Sequence, residues 1–260
     1  MKLRPHLVEK PWGRTGLPYG AGAGAGADGR RIGEIWYEAP DGRALPLLVK
    51  HIFTSERLSV QVHPDDDHAR ARGLPSGKSE CWYIVEADAG ATIALGFREA
   101  VDRERLRAAA LDGSIEELLD WKPVAAGDFY HVPAGTVHAI GGGIALIEVQ
   151  QPVDVTYRLY DYGRPRELHL EEALEVACRE GYPEGLSRRG GTGELVRSRH
   201  FSVRRFEGAD DAAQARFVIP VVGTVEAGGE TAGPGDCLYL EAGEAIRASD
   251  EAELLIARAG

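Results

Sequence analysis

Short apolar runs separated by glycine, proline and aspartate follow one another along most of the chain and predict a mainly β fold. The runs are rich in β-branched and aromatic residues, and their length and spacing favour an all-β sandwich or barrel over βαβ units. In the first part of the chain we predict strands at about 32–38, 45–53, 57–63, 80–86, 91–97, 127–132, 143–150 and 154–160. Strands resume at about 201–206, 216–222, 236–240 and 252–258.

Two stretches with helical periodicity interrupt the strands, at about 100–121 and 169–181. Within the first, the Ser-Ile-Glu-Glu sequence at 114–117 is the expected capping box of a second short helix. In the second, Gly181 is the expected C-terminal stop. Both stretches predict packing elements rather than catalytic ones.

A segment rich in glycine, arginine and proline at 183–193 predicts a boundary between two β domains, residues 1–182 and 194–260. The spacing from Gly127-Asp128 to His138 recurs from Gly235-Asp236 to Ile246, where isoleucine replaces the histidine. No histidine follows His200. We therefore expect the second domain to bind no metal of the same kind and to act as a lid or wall.

The composition excludes several classes of partner. Across 260 residues, 43% are hydrophobic, the net charge is −11 and the pI is near 5.3, which argues against nucleic acid or an anionic membrane as the main partner. The three cysteines, at 81, 178 and 237, lie far apart and are expected to be small buried hydrophobic residues in a reducing compartment. No apolar leader or membrane-spanning stretch is evident, so we expect a cytoplasmic protein, either a monomer or a homodimer.

Residues 20–29 consist mainly of alternating glycine and alanine. No apolar strand precedes them and no amphipathic helix follows, so they do not form a dinucleotide-binding motif. We predict a mobile surface loop.

Four side chains form a candidate metal site. Gln61 and His63 alternate on a predicted strand and so point the same way, and Glu80 opens the next apolar run. His138 follows a Pro-x-Gly turn at 133–135. This mixed oxygen and imidazole set suits a divalent ion with open positions for substrate. Of the other histidines, His131 can face either side, whereas His6, His51, His68, His169 and His200 are expected to be structural or exposed.

An ordered series of motifs runs from Gln-x-His-Pro-Asp-Asp at 61–66 through Gly-Lys-x-Glu at 77–80 and Gly-Asp-x4-Pro-x-Gly-x-x-His at 127–138 to Asp-Val-Thr-Tyr-Arg at 154–158. This series resembles class I, zinc-dependent mannose-6-phosphate isomerase in its short bacterial form, a member of the cupin superfamily. The resemblance covers most of residues 9–165. It implies a cupin-type β-barrel, or jelly roll, with small helical insertions and a degenerate cupin-like second domain.

The resemblance also implies roles for individual residues. The Zn²⁺ ligands would be Gln61, His63, Glu80 and His138, with one ion per chain, and a neutral carboxamide makes Gln61 the weakest of the four. The substrate would be a small sugar phosphate, and the reaction would interconvert mannose 6-phosphate and fructose 6-phosphate through an enediol-type intermediate. The catalytic arginine would be Arg158.

Further residues are assigned around this set. Lys78 alternates with Glu80 on one strand face, where it can orient substrate or assist proton transfer. Glu148 is the candidate base, with a purely structural role as its alternative. We assign Arg164 and Trp12 to substrate binding, with Lys50 a weaker candidate for the phosphate.

Two other functions fit parts of the pattern. A sugar-phosphate-binding regulator would keep the pocket without turnover, but it would not need all the metal residues and Arg158. An Fe(II) cupin oxygenase is the third hypothesis, since two histidines and one carboxylate also hold Fe(II).

Overall fold

The computed structural model describes residues 1–18, 29–206 and 212–260. Apart from Gly29, the predicted glycine and alanine loop lies outside the described residues.

In its described residues, the N-terminal unit contains two β-sheets and four short α-helices. The helices are α1 (Asp66–Ala71), α2 (Arg103–Asp112), α3 (Ile115–Leu118) and α4 (Leu170–Val176), and a 3₁₀ turn covers Glu184–Leu186. The strands are β1 (Arg4–Arg14), β2 (Ile32–Glu38), β3 (Leu48–Thr54), β4 (Val60–Val62), β5 (Glu80–Ala87), β6 (Thr92–Phe97), β7 (Leu119–Pro123), β8 (Asp128–Val132), β9 (His138–Ile140), β10 (Ile144–Gln150), β11 (Tyr157–Tyr160) and β12 (Ser187–Arg189).

Strands from distant parts of the chain meet in each of these sheets. The larger has seven strands in the order β1-β2-β3-β10-β5-β8-β12, and the smaller has five in the order β11-β4-β9-β6-β7. The two sheets enclose one apolar cluster between them, which includes Ile52, Trp82, Ile93, Ile140 and Leu146. This arrangement fits the predicted cupin-type β fold.

The C-terminal unit contains two smaller sheets, in the strand orders β13-β14-β20-β15-β18 and β17-β16-β19. The strands are β13 (Gly193–Arg197), β14 (Phe201–Arg205), β15 (Arg216–Val222), β16 (Val225–Ala227), β17 (Glu230–Ala232), β18 (Leu238–Leu240), β19 (Arg247–Ala248) and β20 (Glu253–Ala259).

Side-chain alternation divides the central strand β10 between two cores. Ala145, Ile147 and Val149 pack with residues of the C-terminal unit on the outer face of the seven-stranded sheet. Ile144 and Leu146 point the other way, into the cluster between the two N-terminal sheets. The whole strand is buried for this reason, and its next inward-facing residues are polar, Glu148 and Gln150.

The C-terminal unit packs against the outer face of the seven-stranded sheet. The shared core contains Phe201, Phe217 and Leu255 from the C-terminal unit, and Tyr37 from β2 donates a hydrogen bond to the backbone oxygen of Gly235 over 2.5 Å. Because this core joins the two units directly, the unit forms a wall behind the sheet. The division into domains 1–182 and 194–260 stays a prediction.

The helical predictions were wrong in extent. The stretch 100–121 is helical only to Leu118 and continues as β7. Ser114 has helical angles, φ −67° and ψ −4°, instead of an extended N-cap conformation, so its side chain makes no capping bond. Helix α4 ends at Val176 rather than at Gly181, because residues 178–181 are drawn into backbone pairing with Thr136 and Gly96.

Strand β1 was missed, because it lies at the edge of its sheet and its sequence is polar and contains two prolines. The short strands β9, β12, β13, β16, β17 and β19 were also not predicted. The prediction of three buried cysteines was wrong for Cys178, which is exposed, since α4 ends just before it at the surface; Cys81 and Cys237 are buried. Among the described residues, no helix has the length and apolar character needed to cross a membrane.

Replacing Phe201 with alanine tests the shared core. Phe201 is fully buried and its ring lies 5.9 Å from the ring of His131 on β8. Removing it leaves a cavity between the units, so we expect the free energy of unfolding to fall by about 3–5 kcal/mol in denaturant titrations. The exposed Leu111, mutated to alanine as a control, should change stability by less than about 0.5 kcal/mol. If the protein unfolded in two separate transitions and the substitution shifted the denaturant midpoint of only one of them, a common core would be contradicted.

Candidate active site

Three buried side chains from both N-terminal sheets form the centre of the site. His63 directly follows β4, and His138 begins β9, the neighbour of β4 in the five-stranded sheet. Glu80 begins β5 of the facing sheet, where it pairs with Gln150. The three residues therefore meet in the space between the sheets.

The donor atoms of these residues converge. Nε2 of His63 lies 3.4 Å from one carboxylate oxygen of Glu80, and Nε2 of His138 lies 3.5 Å from the other. All three donor atoms lie within 4.8 Å of one another, and the residues are at most 2% exposed. Imidazole and carboxylate donors at this spacing are suited to a divalent transition metal such as zinc.

The protonation states fit a metal site. Burial and the neighbouring Lys78 lower the pKa of His63 to about 3, and burial lowers the pKa of His138. Both rings are therefore neutral at pH 7. Nδ1 of His138 donates to the backbone oxygen of Thr136 over 2.9 Å, which leaves the Nε2 lone pair for an ion. Although burial alone would raise the pKa of Glu80, the charge of Lys78 holds it well below its usual value.

Two glycines fix the loops that carry these ligands. A Cβ on Gly77 would lie 2.4 Å from the carbonyl carbon of Asp65, so only glycine permits this close approach. Gly135 has φ +87°, and its N–H donates to the backbone oxygen of His63 over 2.9 Å. The turn before His138 is thereby tied to the end of the strand that carries His63.

Gln61 lies at the edge of the metal-binding group. Its Nε2 is 3.2 Å from Nε2 of His138, while its Oε1 accepts a hydrogen bond from Ser59 over 3.1 Å. The carboxamide presents its nitrogen to the cluster in this structure, so a ligand role for Gln61 stays a prediction.

Lys78 is buried beside the cluster. Its Nζ forms an ion pair with Glu80 and lies 3.1 Å from Nε2 of His63. A carboxylate oxygen of Glu148 is 3.8 Å away. Lys78 thus connects the candidate metal ligands to the candidate base.

Glu148 occupies the inward face of β10, next to Lys50 on β3 and Trp82 on β5. It accepts a hydrogen bond from Nε1 of Trp82 over 3.2 Å, and its other oxygen is 3.3 Å from Nζ of Lys50. Burial and the negative charge of Glu80 raise the pKa of Glu148, against the opposing charges of Lys78 and Lys50. A carboxylate whose pKa is raised in this way is suited to act as a general base near neutral pH.

A cleft opens beside this group. Trp12 and Arg158 line it, as do Asp154 and Thr156, the residues that alternate with Arg158 in the sequence. The remaining lining residues are Lys10, Glu34, Lys50, Ile52, Leu58, Ser59, Gln61, Lys78, Ile140, Glu148 and Arg166. The structure therefore brings the candidate base, Lys78, Gln61, Trp12 and Arg158 to one cleft.

Arg164, assigned to substrate binding from the sequence, does not line the cleft. Its guanidinium donates to the backbone oxygen of Arg57 over 2.7 Å and to Asp161 over 3.1 Å, and neither partner lines the cleft. Arg166 lines the cleft instead. Since both arginines flank Pro165, the sequence offered no signal for choosing between them.

Sequence reasoning also missed Glu34. It is 8% exposed on β2, accepts a hydrogen bond from Nε1 of Trp36 over 2.7 Å, and forms an ion pair with Lys10 over 3.2 Å. The sequence did contain a signal for Glu34, since it is a carboxylate in the otherwise apolar run Ile-Gly-Glu-Ile-Trp-Tyr at 32–37. A charged side chain in such a buried strand is rare unless it has a partner, so its presence indicates a buried ion pair or a site.

Comparisons with known proteins identify similar chains. No protein-family model matches the chain. The chain is 43% identical over 173 residues to the mannose-6-phosphate isomerase of Streptococcus mutans, covering 62% of this chain and 54% of that protein. It therefore spans about half the length of this relative.

Two further proteins match more of the chain. GmuF of Bacillus subtilis, named a probable mannose-6-phosphate isomerase, is 35% identical over 221 residues, covering 77% of this chain and 69% of that one. The crystal structure of the mannose 6-phosphate isomerase from Bacillus subtilis has a TM-score of 0.80 and 28% identity, covering 99% of this chain and 98% of that one. The chain thus belongs to the mannose-6-phosphate isomerase family.

Proposed function

We propose that the protein is a metal-dependent aldose–ketose isomerase that interconverts mannose 6-phosphate and fructose 6-phosphate. The observation that carries this proposal is the buried donor set of His63, Glu80 and His138 beside a cleft lined with acids and bases. Membership of the family supplies the sugar phosphate as substrate.

His63, Glu80 and His138 would hold the ion, which we take to be Zn²⁺. Gln61 would be a further oxygen donor once its carboxamide turns its oxygen, instead of its nitrogen, towards the cluster. When bound, the ion supplies Lewis-acid stabilisation of negative charge on the sugar oxygens. The neutral histidines and the ionised Glu80 fit this role without any change of protonation.

The residues of the chain itself would carry the proton transfer. Isomerisation moves a proton between C1 and C2, and Glu148 is placed on the cleft to take it. Lys78, between Glu148 and Glu80, would orient the sugar oxygens and supply a proton. Arg158 would stabilise negative charge on the bound substrate, and the ring of Trp12 would form an apolar wall.

From this role we predict the cellular location and the oligomeric state of the protein. A small sugar phosphate is a metabolite of the cytoplasm, where we place the protein. It would act as a monomer or a homodimer.

Removing the metal tests the first part of the proposal. Chelation should abolish turnover of mannose 6-phosphate, and added Zn²⁺ should restore it. His63→Ala should lower the metal content well below about one ion per chain, because it removes one of three protein ligands. His6→Ala is the matched control, since His6 is exposed and pairs with Glu38.

Three outcomes would count against the isomerase. Full turnover after complete metal removal would contradict the metal-dependent mechanism. Binding of mannose 6-phosphate without turnover by the zinc-loaded protein would favour a regulator. Oxygen consumption with bound iron would favour an oxygenase.

Changing Glu148 to glutamine tests the base. The variant keeps the shape of the side chain but cannot accept the proton, so kcat should fall about 10²- to 10⁴-fold at an unchanged metal content. In the unmodified protein the base is active above the pKa of Glu148, which is raised from 4.5. Activity should therefore be lost as pH falls through a value above 4.5, measured as the acid limb of kcat/KM.

Glu38, which is partly exposed and pairs with His6 at the surface, is the control: changed to glutamine, it should leave this pH profile unaltered. A Glu148→Gln enzyme with kcat near that of the unmodified protein and the same acid limb would show that another group is the base.

A further inference from the structure

Three polar side chains outside the cleft connect the segments that carry the candidate metal ligands. Asp66 lies three residues after His63, Ser79 lies immediately before Glu80, and Gln151 immediately follows β10. All three lie outside the set of residues that lines the cleft. Their hydrogen bonds therefore need an explanation other than contact with the substrate.

Gln151 is 6% exposed and uses both ends of its carboxamide. Its Oε1 accepts a hydrogen bond from the backbone N–H of Ser79 over 2.9 Å, and its Nε2 donates to Oδ1 of Asp66 over 3.0 Å. Because a backbone N–H can only donate and a carboxylate can only accept, these partners fix the orientation of the carboxamide. The side chain thus bridges the residue before Glu80 and the start of α1.

Asp66 extends this connection to the loop before β5. The same Oδ1 accepts a second hydrogen bond from the backbone N–H of Gly77 over 2.9 Å. The hydrogen bonds from Gln151 and Gly77 lower the pKa of Asp66, so its carboxylate is ionised at neutral pH and both bonds are charge-assisted. The other oxygen faces the C-terminal unit, 3.8 Å from Arg199 and 3.9 Å from His200.

Ser79 connects the same residues to the turn before His138. Ser79 is 4% exposed, and its Oγ accepts a hydrogen bond from the backbone N–H of Ala134 over 3.2 Å. Thr136 of this turn accepts the Nδ1 hydrogen bond of His138. The Gln151 network, which consists of Asp66, Ser79 and Gln151, therefore reaches all three segments that carry a ligand.

Each candidate ligand lies at the end of a strand, where the pairing of the sheet stops. His63 directly follows β4, and Glu80 and His138 are the first residues of β5 and β9. Sheet hydrogen bonds therefore fix the chain on only one side of each ligand. Donor atoms that converge on one ion need the adjoining loops fixed as well, because hydrogen bonds around the ligands set their orientation.

We propose that Gln151 is a positioning residue for the metal centre, and that it acts with Asp66 and Ser79 to hold the three ligand-carrying segments at the spacing that the ion requires. The proposal rests on the proposed function for the binding of Zn²⁺. It assigns part of the affinity for the ion to a buried glutamine outside the cleft.

Gln151→Met tests the proposal, because methionine keeps the length of the side chain but cannot bond to Ser79 or Asp66. The affinity for Zn²⁺, measured by competition with a chromophoric chelator, should fall about 10- to 100-fold. Turnover of mannose 6-phosphate should fall at limiting Zn²⁺ and recover as Zn²⁺ is added. The KM should stay unchanged, since Gln151 lies outside the cleft.

Two substitutions of Asp66 separate its hydrogen bonds from its charge. Asp66→Ala should reproduce the loss of Zn²⁺ affinity, because it removes the acceptor for Gln151 and Gly77. Asp66→Asn should keep most of the affinity, since a carboxamide oxygen accepts the same bonds. The side chain of Asp66 is 21% exposed, so the Asp66 variants decide the question if Gln151→Met does not fold.

Thr54→Val is the matched control for the loss of buried hydrogen bonds. Thr54 is fully buried; its hydroxyl donates to the backbone oxygen of Gly141 over 2.7 Å and accepts from the N–H of Ile144 over 3.0 Å. This position lies at the opposite end of β10 from Gln150, away from the ligands. The variant should lower the thermal midpoint and leave the Zn²⁺ affinity unchanged.

Unchanged Zn²⁺ affinity in a folded Gln151→Met protein would overturn the proposal. So would an equal loss in Thr54→Val, which would assign the effect to stability alone, or an equal loss in Asp66→Asn and Asp66→Ala, which would assign it to charge. If Zn²⁺ binds with the expected differences but mannose 6-phosphate is not turned over, the positioning role stands and the proposed function fails. If turnover depends on the metal and the variants bind Zn²⁺ normally, the function stands and the positioning role fails.

Discussion

The burial of charge between two apolar sheets is the constraint on which the rest of the structure depends. Alternation along β3, β5 and β10 points Lys50, Glu80 and Glu148 inward, where strand neighbours such as Ile52, Ile84 and Leu146 form an apolar core. Leaving one such charge without its partner costs about 3–5 kcal/mol, so the charges must occur together. The chain of Lys50, Glu148, Lys78 and Glu80 satisfies this requirement with alternating signs.

The C-terminal unit supports this arrangement by packing against the outer face of the seven-stranded sheet. Outward-facing residues of the same strands, such as Cys81 and Ile147, need a second apolar layer, which Phe201, Phe217 and Leu255 provide. The seven-stranded sheet is thereby covered on both faces, and its central strand β10 is buried along its whole length, whereas the edge strands β1 and β12 are partly exposed. No residue from 194–206 or 212–260 lines the cleft, so this unit contributes to the site by supporting the sheet.

The sequence allowed the site to be predicted where chemistry depends on local spacing. Gln61 and His63, Lys78 and Glu80, and the turn before His138 are each set by a few neighbouring residues, and all reach one place in the structure. The ends of helices and strands were less predictable where pairing with distant residues decides them. At residues 178–181, backbone contacts with Thr136 and Gly96 end the helix that the sequence pattern predicts to continue. Strand β1 escaped detection for a related reason, since an edge strand need not be apolar.

The loop at 161–166, which carries Arg164 and Arg166, shows a different limit of sequence reasoning. Arg164 and Arg166 are the same residue type on either side of one proline, and their sequence positions do not distinguish them. What separates them is the backbone between Asp161 and Arg164, with two consecutive positive φ angles that direct the chain back on itself. Asp161 then binds the second arginine through two parallel hydrogen bonds and the first through one. A buried carboxylate thus determines which of the two guanidinium groups lines the cleft.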